Sequence, residues 1–410
     1  MSAAATDKSK VPALRFLEFK EKWVEAELKD LMLFKNGINA EKGSYGQGRK
    51  FINVMDIISN DYILYDNIIG SVDVSDISAK NYEVSYGDIL FQRSSETRED
   101  VGQSNVYLDQ DRNALFGGFV IRGKKNSKYD PVYLNNLLKT AHARKEITTK
   151  SGGSTRYNVG QETLKSVRIF ISSDRAEQTK IASLLTAVDE RIQGLLKKKD
   201  LLTTYKKGVM QKLFSQQTRF TQNNGTPFPD WKEKKAGNIF KNISNREHDG
   251  KLPILAVTQN NGVMKRDDLD KDIKTSANSI SSYKIIEKGD FVISLRSFQG
   301  GIEYSHITGI SSPAYTVLKP CLDISDGFYK YLFKKELFIN QLSSAVIGIR
   351  DGKQISYSVF SSLVLPYPSP DEQKKIADFL SAIDDKIAAI SSQVDQVKAF
   401  KKALLQQMFI

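Results

Sequence analysis

Apolar residues recur every three or four positions in two long segments of the chain, residues 181–213 and residues 376–408. Lys199 and Lys206 interrupt the first series, Lys401 interrupts the second, and no proline lies inside either segment. A period near 3.5 that persists over about five heptads is typical of helices that pack along one stripe, as in a coiled coil. The pattern therefore predicts two long helices that share an interface. The predicted interface positions are Ile181, Leu185, Val188, Ile192, Leu195, Leu202, Val209, Ile376, Leu380, Ile383, Ile387, Ile390, Val394, Val397 and Leu404.

The two segments are copies of one sequence. Residues 177–214 align without a gap with residues 372–409, and 14 of the 38 aligned pairs are identical. Each copy begins with Glu-Gln and ends with phenylalanine, and a Lys-Lys pair stands at the same place in both. Because unrelated helices do not share this many positions, the chain contains an internal repeat.

The segments before the two helices also correspond. Each starts near a tryptophan (Trp23, Trp231), and each has a Gly-Asp turn followed by an apolar run, an arginine and, later, a glycine-rich stretch. Short strand-like runs broken by Gly, Asn, Asp and Ser are typical of an α+β domain. We predict the order domain, helix, domain, helix. The predicted bounds are residues 1–172, 173–214, 215–368 and 369–410.

A direct repeat of this kind can close around a pseudo-two-fold axis. If the axis crosses the helices, they pack antiparallel through their apolar stripes. The predicted fold class is thus α+β, with two globular domains separated by two long antiparallel coiled-coil helices. Two-fold related units at a fixed separation are how proteins read two half-sites on a duplex. The lysines that interrupt the stripes are interpreted as residues that fix the helix register or reach the surface, rather than as DNA contacts.

The charge narrows the range of functions. The chain of 410 residues has 60 Lys and Arg against 48 Asp and Glu, and a net charge of +12. A basic surface favours nucleic acid, although it can equally be a solvated surface with nothing bound. No apolar run approaches the roughly 18 residues of a membrane span, and the single cysteine cannot form an internal disulfide. We expect a cytoplasmic protein, and three histidines with one cysteine make a Cys/His zinc site improbable.

The helix phrases carry a family resemblance. E-Q-x-K-I-A-x-x-L-x-A-x-D-x-x-I and K-K-x-x-x-Q-x-x-F follow each domain. Together with the two tryptophans and the Gly-Asp segments, they resemble the specificity (S) subunit of type I restriction–modification systems. The resemblance extends from Leu14 to Ile410. It implies two target recognition domains, each reading one half of a bipartite, asymmetric DNA sequence. It also implies that the helices set the unread gap and dock two modification subunits.

The same resemblance implies the partners and cofactors. The partners would be double-stranded DNA, two modification (methyltransferase) subunits and restriction (translocase and nuclease) subunits, with no membrane. S-adenosylmethionine would bind to the modification subunit, which methylates adenine, and ATP with Mg²⁺ to the restriction subunit. This chain would bind no cofactor or metal of its own and would have no catalytic site.

Two alternative functions stay open at this point. A self-sufficient adenine methyltransferase needs an (N/D)PP(Y/F) motif, and the nearest match, Asp130-Pro131-Val132-Tyr133, lacks the second proline. We interpret it as the start of a helix. A coiled-coil scaffold that binds only protein is the other alternative, and the repeated arginine and glycine loops argue against it.

The predicted DNA contacts lie in loops of both domains. Lys and Arg neutralise phosphates, whereas Arg, Lys, Asn and Gln reach donors and acceptors on base edges. The glycine-rich stretches would let a loop follow a groove. The sequence identifies neither the target bases nor the gap length, nor whether a restriction subunit accompanies the chain. The candidates are Arg93, Ser94, Ser95, Arg98, Arg156, Tyr157, Arg296, Ser297, Gln299, Arg350, Lys353 and Gln354.

Overall fold

In the computed structural model of the chain, the described residues are 11–258, 262–269, 280–294, 297–344 and 355–410. Contacts divide the chain into two units. The first unit contains the residues up to Lys197 together with Ser391–Ile410, and the second contains Lys198–Ile390. Each unit is therefore a globular domain plus a part of both long helices.

The two long helices span Arg175–Phe214 and Pro370–Gln407. The first begins after Asp174, whose carboxylate accepts a hydrogen bond from an amide of the first turn at 2.7 Å. The second begins with proline, which is favourable at the first helical position because the amide there has no partner in the helix. Gln216, with a φ of 61°, lies just beyond the end of the first helix and terminates it in the left-handed region.

An antiparallel four-stranded sheet forms the centre of the first unit. Its order is β2-β9-β5-β7, and β1 pairs with β11 beside it. A second, smaller sheet has the order β4-β3-β8, and β6 pairs with β10. The strands are β1 (Val24–Glu27), β2 (Met32–Asn36), β3 (Tyr45–Ile52), β4 (Ser71–Val72), β5 (Ile89–Gln92), β6 (Ser94–Ser95), β7 (Ser104–Val106), β8 (Leu115–Phe116), β9 (Val120–Lys125), β10 (Tyr157–Asn158) and β11 (Arg168–Ile171).

The second unit repeats this design. Its four-stranded sheet has the order β13-β20-β17-β18, and β12 pairs with β21 as β1 pairs with β11. Two further pairs are β14 with β15 and β16 with β19. The strands are β12 (Lys232–Lys235), β13 (Phe240–Ile243), β14 (Leu255–Thr258), β15 (Gly262–Lys265), β16 (Lys284–Ile286), β17 (Phe291–Ile293), β18 (Glu303–Tyr304), β19 (Gly309–Ser311), β20 (Thr316–Pro320) and β21 (Val364–Tyr367).

Short helices complete both units. In the first unit they are Leu28–Leu31, Val54–Ile58, Asp76–Asn81, Pro131–Leu138, Ala141–Lys150 and Gln161–Lys165, with 3₁₀ turns at Lys42–Ser44 and Tyr65–Asn67. In the second unit they are Ala236–Ile239, Ser297–Gly300, Asp326–Leu332, Glu336–Ser344 and Tyr357–Ser362, with a 3₁₀ turn at Arg266–Asp268. The helix starting at Pro131 is capped by Asp130, which accepts hydrogen bonds from two amides of the first turn. The incomplete methyltransferase motif is thus a helix start, as predicted.

The repeated Gly-Asp turns have a structural role. Gly87 and Gly289 have φ values of 88° and 104°, in the region that favours glycine. The following carboxylate, Asp88 or Asp290, accepts a hydrogen bond from the amide three residues earlier, at 3.1 Å and 2.7 Å. Burial raises the pKa of both carboxyl groups. Each turn therefore fixes the entry into the central strand that follows it.

The Glu-Gln pair at the start of each long helix anchors the globular domain. Gln178 accepts a hydrogen bond from the Asp130 amide at 2.8 Å and donates one to the Ser172 carbonyl at 2.7 Å. In the second unit, Gln373 likewise accepts a hydrogen bond from the Ser325 amide at 3.0 Å and donates one to the Pro368 carbonyl at 2.9 Å. One buried amide side chain thus joins two segments of the domain to the helix in each copy, which explains why this residue recurs in the repeat.

The glutamates before them accept a bidentate arginine. Arg15 donates to Glu177 at 2.6 and 2.9 Å, and Arg219 donates to Glu372 at 3.0 and 2.8 Å. Both carboxylates are fully buried. These hydrogen bonds raise the pKa of both arginines. The Trp23 indole also donates to Glu177, whereas the Trp231 indole N–H has no partner among the described residues.

Candidate nucleic-acid interface

The first group of predicted contacts lies at the end of the central strand β5. Ser94 and Ser95 form β6, which pairs with Asn158 and Tyr157 of β10. The Ser94 hydroxyl donates to the Asn158 side chain at 2.6 Å. The strand pairing therefore brings together two loops that are more than 60 residues apart in the sequence.

The glycine-rich stretch folds into a tight hairpin. The amide of Gly152 donates to the Asn158 carbonyl at 3.0 Å, and the reverse bond is 2.8 Å. Gly153 has a φ of 114°, and a Cβ there would lie 2.1 Å from the Arg156 carbonyl oxygen. Arg156 is exposed near the tip, and its guanidinium makes no hydrogen bond or ion pair within the described part of the chain. It is available for an anionic or polar ligand.

Two predicted arginine contacts have structural partners. The Arg93 guanidinium donates to the Gly118 carbonyl at 3.2 Å, and its amide donates to the Phe119 carbonyl at 2.9 Å. Arg98 donates to the carbonyls of Thr148 and Thr149, at the end of a helix, at 3.1 and 3.4 Å. Both side chains shape the loops in this conformation, so Arg156 is the stronger candidate for DNA contact.

A cleft of about 730 Å³ lies between these loops. Ser94, Ser95 and Arg156 line it, and so does Phe119, whose side chain is 65% exposed. The sequence prediction missed Phe119. The signal available was its position directly after a Gly-Gly pair and before a buried strand.

The predicted contacts of the second unit divide into three groups. Ser297 is only 1% exposed, and its hydroxyl accepts a hydrogen bond from the Ser294 amide at 2.8 Å. It stabilises a turn, so its prediction as a DNA contact is corrected here. Gln299 is exposed at a cleft of about 1070 Å³ that includes Lys207 and Lys330. The other predicted contacts lie outside the described residues: Arg296, Arg350, Lys353 and Gln354.

The predicted helix-interface residues are buried or half-buried. The buried positions are Ile181, Leu185, Val188, Ile192, Leu195, Ile376, Leu380, Ile383, Ile390, Val394 and Leu404. The half-buried positions are Leu202, Val209, Ile387 and Val397.

The two long helices run antiparallel in the first unit. Trp23 contacts Glu177 at the start of the first helix and Phe409 just beyond the end of the second. Further along the first helix, Asp189 forms an ion pair of 2.5 Å with Lys401, which precedes Phe409. Later residues of the first helix therefore lie beside earlier residues of the second, as in an antiparallel pair.

The second unit has the same arrangement. Phe214, at the end of the first helix, and Ile376, near the start of the second, belong to one core. Lys206, earlier in the first helix, forms an ion pair of 2.6 Å with Asp384, later in the second. The stripe lysines Lys206 and Lys401 therefore hold the helix register through carboxylates at repeat-equivalent positions. This outcome agrees with their interpretation as register residues.

Each long helix also presents one exposed aromatic residue at an equivalent position. Tyr205 and Phe400 are each 53% exposed and are separated by the repeat offset. Aromatic side chains that become buried when a partner binds are among the residues that carry most of the binding energy of an interface. The sequence prediction missed this pair, although the two residues occupy the same position in the alignment of the two copies.

No group of three or more His, Cys, Asp or Glu side chains in the described residues is arranged to hold a metal ion. Among the same residues, none of the helices combines the length and the apolar character that crossing a membrane requires.

Two copies of one α+β unit, each with cleft-lining loops and each anchored to antiparallel helices, define a class of protein with two recognition domains. A family model described as "Type I restriction modification DNA specificity domain" matches residues 20–203 and 230–399. The chain belongs to this family and is a DNA sequence-recognition subunit of a type I restriction–modification system.

Individual relatives agree with this assignment. A putative type I restriction enzyme MjaX specificity subunit from Methanocaldococcus jannaschii is 26% identical over 410 residues, which cover 95% of this chain and 93% of the relative. The crystal structure of a type I restriction–modification S subunit from M. genitalium has a TM-score of 0.57 at 17% identity, and covers 98% of this chain and 99% of that one. A chain from a structural study of complex assembly in a type I system has a TM-score of 0.57 at 14% identity, with coverages of 94% and 97%. The solved structures share the fold.

Proposed function

We propose that each unit reads one half of a bipartite, asymmetric DNA site. The observation that supports this proposal is the contrast between a repeated framework and different reading surfaces. The buried Glu-Gln pairs, the order of the four-stranded sheet and the helix ion pairs recur in both units. Among the described residues the side chains that line the clefts differ, since Phe119 and Arg156 line the cleft of the first unit, whereas Gln299 and several lysines line a cleft of the second unit that includes residues of the first long helix. One scaffold with two reading surfaces suits two unlike half-sites.

The chemistry of the complex would belong to its partners. In this proposal, two modification subunits bind S-adenosylmethionine and methylate adenine, and restriction subunits use ATP with Mg²⁺. This chain supplies sequence recognition and a spacer, and holds no cofactor. Neither a protein-only scaffold nor a self-sufficient methyltransferase is favoured by any feature of the described residues.

Competitive binding tests the recognition proposal. The purified chain, together with a modification subunit of its system, is expected to retain one bipartite duplex in the presence of excess scrambled DNA. The affinity should fall steeply as salt rises, because bound phosphates release counterions. The modification subunit without this chain serves as the control. Equal retention of both duplexes would contradict the proposal.

The exposed aromatic pair is expected to dock the two modification subunits. Tyr205→Ala and Phe400→Ala should each weaken the binding of one modification subunit by about 30-fold or more, the effect of truncating an interface anchor. The double variant should lose both subunits. Native mass spectrometry of the assembled complex measures the stoichiometry directly.

Ile77→Ala is the matched control for these variants, because Ile77 is 79% exposed on a short helix of the first unit. It is expected to leave two modification subunits bound. A double variant that still binds two modification subunits at the wild-type affinity would show that docking uses another surface.

A further inference from the structure

The cleft of the first unit has apolar walls and polar edges. Ile58 lies on one wall and Phe119 on another, and both side chains are exposed. Ser95, Thr97 and Arg156 supply hydroxyl and guanidinium groups to the same cleft. DNA bases have this composition, with apolar faces and methyl groups beside donors and acceptors.

The exposure of Phe119 is built into the fold. Gly118, directly before it, lies so close to Asn39 that a Cβ would stand 1.8 Å from the Asn39 side-chain oxygen. Arg93 holds the same turn through the carbonyls of Gly118 and Phe119. Val120, directly after it, is fully buried in β9. Phe119 and the exposed Ile58 of the same cleft together form an apolar patch bordered by polar side chains, which is the arrangement of a ligand-binding groove.

The charges of the cleft favour bases over phosphates. Glu96 and Asp100 also line it, and their carboxylates would repel a phosphate group. Asp100 already accepts hydrogen bonds from Thr97 and Gln103, at 2.5 and 2.8 Å. A carboxylate such as that of Glu96 can accept from a base amino group. These carboxylates make the cleft less favourable for a phosphate group than for the edge of a base.

The second unit has no aromatic residue at this position. The strand register identifies the equivalent position. The residue directly after the Gly-Asp turn is Ile89 in the first unit, where it pairs with Gly123, and Phe291 in the second unit, where it pairs with Leu318. Phe119 lies four residues before Gly123, and Ala314 lies four residues before Leu318. The four-stranded sheets of the two units share their order, so this difference lies in the turn before the strand and not in the sheet.

We infer that Phe119 is a specificity-determining residue that contacts the C5 methyl group of a thymine in one half-site, beside Arg156. This inference rests on the proposed function, in which the first unit reads that half-site. An apolar ring against the thymine methyl group is a recognised mode of base readout in the major groove. Because uracil differs from thymine only in lacking this methyl group, the contact can be isolated chemically.

The experiment uses the full chain with its modification subunit. Selection from a library of randomised duplexes first gives the preferred sequence. Each thymine of that sequence is then replaced singly by uracil, and the affinity is measured for the wild type and for Phe119→Ala. The affinity of the wild type should fall about 4-fold when one particular thymine is replaced by uracil, because that replacement removes the contribution of one buried methyl group. Phe119→Ala should bind more weakly and should not distinguish thymine from uracil there.

Two variants separate contact from folding. Alanine is the natural residue at the counterpart position, and Phe119 is exposed, so Phe119→Ala should fold normally. Phe119→Leu should keep part of the discrimination, and Ile69→Ala, at a residue that is 94% exposed in the same unit, should keep all of it. A wild-type selection without any preferred sequence would overturn the proposed function itself. A clear preferred sequence at which Phe119→Ala still discriminates, or at which no thymine responds, would overturn only the role of Phe119.

Discussion

Replacing Glu177 with alanine is expected to lower the free energy of unfolding of the first unit by about 3–5 kcal/mol, the typical cost of removing one partner of a buried ion pair. The carboxylate is fully buried and accepts hydrogen bonds from the Arg15 guanidinium, the Trp23 indole and the Ser172 hydroxyl. The variant leaves a nearly buried guanidinium without its counter-charge. Urea denaturation followed by tryptophan fluorescence measures the loss, since Trp23 reports on this site.

The repeat supplies a graded comparison. Glu372→Ala should cost less, because Arg219 also donates to the carbonyls of Phe228 and Pro229 and keeps those bonds. Glu190→Ala, at an exposed position of the same long helix as Glu177, should change the stability by less than about 0.5 kcal/mol. A loss below about 1 kcal/mol for Glu177→Ala would contradict the anchoring role of this glutamate.

The second large effect is expected for Asp189→Lys. Only 8% of the Asp189 side chain is exposed, and its carboxylate accepts from the Tyr62 hydroxyl at 2.9 Å and pairs with Lys401 at 2.5 Å. Reversing its charge places two ammonium groups together at a buried site and leaves the tyrosine hydroxyl without its acceptor. The expected loss is about 3 kcal/mol or more, because a buried charge without a partner is costly. Thermal and urea unfolding of the chain measure it.

A double-mutant cycle tests whether the pair itself is responsible. Lys401→Asp in the Asp189→Lys background should recover a substantial part of the loss, since the ion pair re-forms with its charges exchanged. The equivalent reversal at Asp384 should cost less, because 38% of that side chain is exposed and water screens the charge. Additive effects of Asp189→Lys and Lys401→Asp would show that the two side chains do not interact.

Local and periodic features of this chain were predictable from sequence. The 3.5-residue period predicted both long helices, and Asp130-Pro131 predicted a helix start, because helix packing and capping depend on neighbours a few residues apart. The repeat predicted two equivalent domains, and the four-stranded sheets of the two units share their order. Two of the three lysines within the apolar stripes, Lys206 and Lys401, form ion pairs with the facing helix, in agreement with their interpretation as register residues.

The roles of single side chains in the loops were harder to predict. Arg93 follows an apolar run, as a DNA contact would, yet it holds the carbonyl of Gly118, 25 residues away. Ser297 was predicted to be a contact by analogy with Ser94, but it is buried as the acceptor for Ser294. Arg15 was not identified at all, because its partner Glu177 lies 162 residues away. Such contacts depend on strand pairing between distant segments, which the spacing of residues in the sequence does not reveal.

The most direct test of the central proposal is a genome-wide map of methylated adenines in a host that expresses this chain with its modification subunit. The proposal predicts that the modified sites share two short, different sequences separated by an unread gap of constant length. It also predicts that the pattern disappears when this chain is omitted. Methylation at unrelated sequences, or at one short contiguous sequence without a gap, would contradict recognition of a bipartite site by two separate units.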